Sequence, residues 1–126
     1  MTAALVLFAH GSRDPQWAAP FHSVKARIAA VRPELRVELA FLEFMQPTLS
    51  DAADSLAASG HRRLVIAPLF MAQGAHLKRD LAVVMDAVRE RHPDMKLGLL
   101  PAAGEVEAVL DGIADWLIES MRLSTT

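Results

Sequence analysis

Four short apolar runs alternate with four amphipathic segments, and this alternation constrains the fold more than any other feature of the chain. Ala4–Ala9 and the run from Leu64 to Phe70 are almost continuously apolar, as expected of strands covered on both faces. Val37, Leu39 and Phe41 alternate with Glu38 and Ala40, and the run from Leu97 to Leu100 is short and follows Lys96. These two read as edge strands. In the intervening segments, Trp17, Phe21, Val24, Ile28 and Val31 share one helical face, as do Leu49, Ala52, Ala53 and Leu56. Leu77, Leu81, Val84 and Val88 line a third helix, and Val109, Ile113, Trp116 and Leu117 a fourth. Strict strand–helix alternation implies a parallel sheet with right-handed crossovers. With the first and third strands central, the simplest order is 2-1-3-4: a three-layer α/β fold with helices on both faces.

The punctuation agrees. Asp14-Pro15 suits an N-cap followed by the first helical residue, and Gly60 suits the position just past the second helix. Pro33 and Pro93 follow the first and third helices. At 126 residues the chain is the size of one domain, taken as 1–126, without linker, low-complexity segment or internal repeat. Its 52% apolar content supports an ordinary core, and a net charge of −2 without a basic block gives no footprint for nucleic acid. The absence of cysteine excludes disulfides, thiolate metal sites and cysteine nucleophiles. The N-terminal apolar run lacks a charged leader and is too short for a secretory core, and no stretch reaches a membrane span, so a cytoplasmic protein is expected.

Ligands of such sheets bind beyond the strand C-termini, where the strand order reverses between strands one and three. His10 follows strand one, Glu43 follows strand two, and His76 comes shortly after strand three, each 33 residues from the next (10 to 43, 43 to 76). Two imidazoles and a carboxylate suit a borderline divalent ion such as Co²⁺, Ni²⁺, Fe²⁺ or Zn²⁺. Read singly, each has a simpler explanation. His76 could be a solvated residue at a helix start. Glu43 could be either a metal ligand or proton acceptor with a raised pKa, or a helix-start acid favoured by the macrodipole. Their shared sheet edge favours the functional reading. His61 precedes strand three and belongs to the opposite edge, His22 lies within a helix, and His92 ends one, so these read as structural or surface residues.

Gly11 and Ser12 resemble a phosphate-cradling turn, but no G-x-G-x-x-G and no Walker lysine accompany them, which counts against a nucleotide or flavin module. Arg13 could pair with a substrate carboxylate or stand solvated. Phe44, Met45, Phe70 and Met71 could line an apolar cleft or a subunit interface, although ordinary core is expected for at least two of them.

Three segments, His10-Gly11-Ser12-Arg13-Asp14-Pro15, Phe41-Leu42-Glu43-Phe44-Met45-Gln46-Pro47 and Pro68-Leu69-Phe70-Met71-Ala72-Gln73-Gly74-Ala75-His76, together resemble the short, CbiX-type sirohydrochlorin chelatases of the class II chelatase family. The resemblance runs in order over nearly the whole chain. It implies a chelatase-like fold and a lyase that inserts a divalent metal, Co²⁺ first and Fe²⁺ or Ni²⁺ as alternatives, into sirohydrochlorin during cobalamin or sirohaem synthesis. It also implies a homodimer with the tetrapyrrole in its cleft, no organic cofactor, and a metal that is a substrate. His10 and His76 would bind metal and accept pyrrole protons, with Glu43 assisting. Ser12, Arg13, Phe44, Phe70, Gln73, Gly74 and Lys78 are the candidate substrate contacts, and Arg79 adds positive charge nearby. One departure is Asp80-Leu81-Ala82, where members often carry a proline. A non-catalytic metal or tetrapyrrole carrier is the rival from another class.

Overall fold

The computed structural model describes residues 3–124. It contains four strands, β1 (Ala4–Ala9), β2 (Val37–Phe41), β3 (Arg63–Pro68) and β4 (Lys96–Leu99), and four helices, α1 (Ala19–Val31), α2 (Leu49–Ala58), α3 (Ala75–Arg91) and α4 (Glu107–Ser124). The sheet order is β2-β1-β3-β4 and every pairing is parallel, as the alternation requires. Leu7 stands opposite Leu39 on one side and Ala67 on the other.

Alternate strand residues feed two cores. Val6, Phe8, Leu64 and Ile66 pack against Leu49, Ala53 and Leu56 of α2 and Leu81, Met85 and Val88 of α3. Leu7, Ala9, Leu39 and Phe41 pack on the other face, against Trp17, Phe21 and Ile28. The helix starts follow their local chemistry. Asp14 caps a single 3-10 turn, Pro15–Ala18, its carboxylate accepting from the Gln16 N–H at 3.0 Å, before α1 begins at Ala19. Thr48 caps α2 through the Asp51 N–H at 3.1 Å. Gly60, just past the α2 C-cap, has φ 93°, a left-handed conformation suited to glycine.

Three expectations are corrected. Leu69 and Phe70 lie beyond β3, which ends at Pro68, where proline has no N–H for the ladder. Val24 and Val31 are exposed, because α1 rests only its Trp17-proximal and Ile28 side on the sheet. The apolar face of α4 is also largely exposed: Val109, Trp116 and Leu117 stand in solvent, and the helix packs chiefly on the short turn Ala103–Glu105.

Away from the strand C-termini, Asp54 of α2 clasps the end of α3. Its carboxylate accepts from Arg91 at 2.6 and 3.1 Å and pairs with His92 Nε2 at 2.7 Å. The Arg91 hydrogen bonds, then that of His92, hold the Asp54 carboxyl below the usual carboxylate range. A carboxyl so lowered stabilises the fold above its ordinary pKa, and that stability is lost as pH falls through the lowered folded value. Thermal melts from about pH 7 down to about pH 3 should therefore fall more steeply for the native chain than for Asp54→Asn; parallel curves would show that the clasp contributes nothing.

Candidate functional site

Main-chain hydrogen bonds carry the strand pairings past the strand ends and bring the loops together. The Leu42 N–H donates to the Ala9 carbonyl at 2.9 Å and the Glu43 N–H to the His10 carbonyl at 3.0 Å. On the other flank, the Leu69 N–H donates to the Phe8 carbonyl at 2.8 Å. His10 and Glu43 are thus backbone neighbours at the edge where ligands of such sheets bind. Below His10 an aromatic row roots the site in the core. Its ring lies 5.3 Å from that of Phe70, which meets Phe8 edge-on at 5.9 Å.

Gly11 makes this closeness possible. Its φ is 94°, and a Cβ placed there would lie 1.8 Å from the Glu43 carbonyl oxygen. Gly104 does the same for the loop after β3. Its N–H donates to the Phe70 carbonyl at 2.9 Å, and a Cβ would lie 1.5 Å from the Met71 carbonyl oxygen. The Glu105 carboxylate closes that turn by accepting from the Ala102 N–H at 3.0 Å. Sequence reasoning passed over Gly104; its position two residues after Ala102, in a short turn before a helix, was the only signal.

Glu43 is exposed although its sequence neighbours are apolar, so its carboxylate carries no burial cost. Nor does it start a helix, since α2 begins at Leu49 behind its own Thr48 cap. Phe44 adopts φ 68° and turns outward, 56% exposed, with the Arg13 guanidinium 4.6 Å from its ring centroid. This cation–π pair presents a flat apolar surface beside a fixed positive charge. Ser12 is turned back locally, its Oγ accepting from the Asp14 N–H at 3.1 Å. Of the four apolar candidates, Phe44 and Met71 are exposed, Phe70 is core and Met45 packs on the α1-side cluster.

His76 is exposed in the first turn of α3, and Arg79, one turn on, lies 3.1 Å from its Nδ1. The guanidinium can only donate, so Nδ1 accepts and the neutral ring carries its proton on Nε2 in this arrangement. Gly74 caps α3 without a side chain, and its carbonyl receives the Lys78 N–H at 3.1 Å. The first turn of α3 holds no acid, so its amide dipole and Lys78 favour an anionic ligand group. Gln73 and Lys78 border a cavity of about 440 Å³ between α3 and β4.

The structure therefore places His10, Glu43 and His76 on one sheet edge, with His10 and Glu43 directly joined. Among the described residues, no three His, Asp or Glu side chains converge tightly enough to close around an ion. His22 lies on exposed α1 and His61 at the opposite edge, before β3, while His92 serves the Asp54 clasp. Among the described residues no helix is long and apolar enough to cross a membrane.

The chain is also similar to known proteins. The CbiX family model matches residues 4–120. A sirohydrochlorin cobaltochelatase from Saccharolobus islandicus is 40% identical over 77 residues, which cover 61% of this chain and 59% of that relative. Another, from Sulfurisphaera tokodaii, is 28% identical over 96% of both chains. A crystal structure of a CbiX protein from Marinobacter aquaeolei superposes with a TM-score of 0.85 at 23% identity, covering 96% of this chain and 98% of that one. The sirohydrochlorin chelatase SirB from Bacillus subtilis, in complex with cobalt, superposes with a TM-score of 0.75 at 21% identity, covering 94% of this chain but 51% of that one. The chain thus spans 59% of the Saccharolobus relative and about half of SirB.

Proposed function

The chain belongs to the CbiX family, and from that premise we propose that it inserts a divalent metal, Co²⁺ first, into sirohydrochlorin. The observation that carries the proposal is the joining of His10 to Glu43 by a 3.0 Å main-chain hydrogen bond at the sheet edge that His76 also borders. Names of relatives support cobalt, while a SirB structure with Fe³⁺ supports iron as the alternative. In this reading residues 1–126 work as one CbiX-type domain, in a cytoplasmic homodimer.

Metal insertion forms bonds from pyrrole nitrogens to the ion, and the two displaced N–H protons must leave. His10 and His76, as neutral imidazoles, offer a lone pair to the ion, and imidazole is a side chain suited to carrying a proton away. Glu43, exposed and tied to His10 through the backbone, takes a proton or helps deliver the ion. Arg79 must release Nδ1 of His76 before the neutral ring binds metal, either through Nδ1 itself or through Nε2 once the ring proton has moved to Nδ1. The Phe44 face and the Arg13 and Lys78 charges suit a flat macrocycle edged with carboxylates. An open arrangement fits a passing ion, since catalytic sites keep coordination positions free.

Sirohydrochlorin supplied in excess with Co²⁺, Fe²⁺ or Ni²⁺ separates the readings. A chelatase consumes many equivalents of tetrapyrrole per chain, fastest with its preferred ion. A carrier stops at one bound equivalent, and that result would overturn the proposal. Competition among the ions needs a kinetic readout, because equilibrium affinity follows the Irving–Williams order whatever the enzyme prefers.

A further inference from the structure

Both ring nitrogens of His76 are closed to metal, and one side chain closes them. Arg79 lies 3.1 Å from Nδ1. Because a guanidinium only donates, it takes the Nδ1 lone pair and leaves the ring proton on Nε2. His10 differs. It is exposed and its ring meets Phe70, and among the described residues its ring nitrogens have no hydrogen-bond partner. One candidate ligand is open and the other is occupied.

The surroundings of Arg79 leave it with this partner. The residues three and four positions away along α3 are Ala75, His76, Ala82 and Val83, so His76 is the one side-chain acceptor on its helix face. Asp80 is its neighbour in sequence, and adjacent helical residues do not face each other. Asp86, the next acid, is bonded to Arg89 at 3.0 Å. Among the described residues no carboxylate lies within ion-pair distance of Arg79. A carboxylate would suit it better than a neutral ring, because it can accept two parallel charge-assisted hydrogen bonds in place of one. Arg79 is exposed to meet such a group, and the first turn of α3, with no acid of its own, favours an anion.

We propose that Arg79 is a gate on His76 that a carboxylate of the bound tetrapyrrole opens. The guanidinium moves from Nδ1 to the carboxylate, and His76 is then able to hold the ion. The inference rests on the sirohydrochlorin reading above and adds an order to it: macrocycle first, metal on His76 second. Two effects run the same way. The carboxylate and the ion both favour Arg79 off Nδ1, so each stabilises the arrangement that the other binds. Pairing also neutralises a positive charge that repels a cation beside the ring. Without tetrapyrrole, Co²⁺ still reaches both imidazoles, but it has to displace the guanidinium itself. The site therefore holds the ion loosely until a macrocycle is there to receive it.

Co²⁺ affinity, read by calorimetry on the full chain without insertion, tests the gate. Arg79→Ala should tighten Co²⁺ binding about five- to tenfold, the effect of removing one exposed hydrogen bond from a charged donor. Lys78→Ala removes an equal charge from the same stretch of helix without releasing His76, and should tighten binding by about twofold at most. In a His76→Ala background, Arg79→Ala should do no more than Lys78→Ala does. An Arg79→Ala chain that binds Co²⁺ no more tightly than the native chain, or that gains equally without His76, would overturn the gate. Zinc uroporphyrin then supplies the carboxylates on a tetrapyrrole whose centre is already filled, so that Co²⁺ stays on the protein. At saturation, and after subtraction of Co²⁺ bound by the probe alone, it should tighten Co²⁺ binding to the native chain about five- to tenfold and leave Arg79→Ala unchanged, with Co²⁺ tightening the probe reciprocally. A native affinity that the probe leaves unchanged, or equal tightening in both chains, would overturn release by carboxylate. None of these measurements needs turnover, so a chain that gates Co²⁺ but never inserts it would sink the chelatase reading alone.

Discussion

His10→Ala and His76→Ala each lower the rate of Co²⁺ insertion into sirohydrochlorin by about 10²–10⁴-fold, the range a positioned acid–base group supplies. Both side chains are exposed, so neither substitution opens a cavity, and melting temperature and far-UV spectrum should match the native protein. The loss should appear in kcat, because the histidines act on the ion and the leaving protons, not on the bulk of the macrocycle. His22→Ala, on exposed α1, is the control and should leave the rate within about twofold. If the His10 and His76 variants both retained near-native rates, the site would lie elsewhere.

Gly11→Ala has the next largest effect, and it acts through the backbone. At φ 94° any side chain is strained, and the new Cβ would sit 1.8 Å from the Glu43 carbonyl oxygen. The β2–α2 loop must then move away from β1, breaking the 3.0 Å bond between Glu43 and His10. A loss of about 3 kcal/mol or more in denaturant unfolding is expected, with insertion activity falling in whatever fraction stays folded. Gly60→Ala separates the two causes. Gly60 has nearly the same φ, 93°, but no heavy atom within 4 Å of its Cβ position, so it should lose only the conformational cost of about 1–2 kcal/mol. Equal losses at the two positions would mean that the contact with Glu43 contributes nothing.

The strands and their order were legible because burial on both faces writes itself as an unbroken apolar run, as in β1, while the edge strands β2 and β4 are polar-interrupted or short. The even placement of His10, Glu43 and His76 after successive strands was legible for the same reason: parallel connections return every strand end to one edge. Periodicity reveals that a helix is amphipathic but not what covers it, so the exposure of Val109, Trp116 and Leu117 on α4 was not legible. Glu43 could not be assigned from its neighbours, because Phe44 and Met45 diverge, one to solvent and one to the core, only through the left-handed turn at Phe44. The stacking of Arg13 on Phe44 depends on that turn as well. The contact of Arg79 with His76 was available in principle, since residues three apart share a helix face.

The chain holds five histidines, and paramagnetic Co²⁺ broadens the resonances of any imidazole that binds it. Titrating the isotopically labelled protein with one equivalent of Co²⁺ therefore reads the proposed site directly. The account predicts that His10 and His76 broaden first and together, while His22, His61 and His92 stay sharp. Broadening that begins at His92 or His61, or that spares His10 or His76, would contradict it.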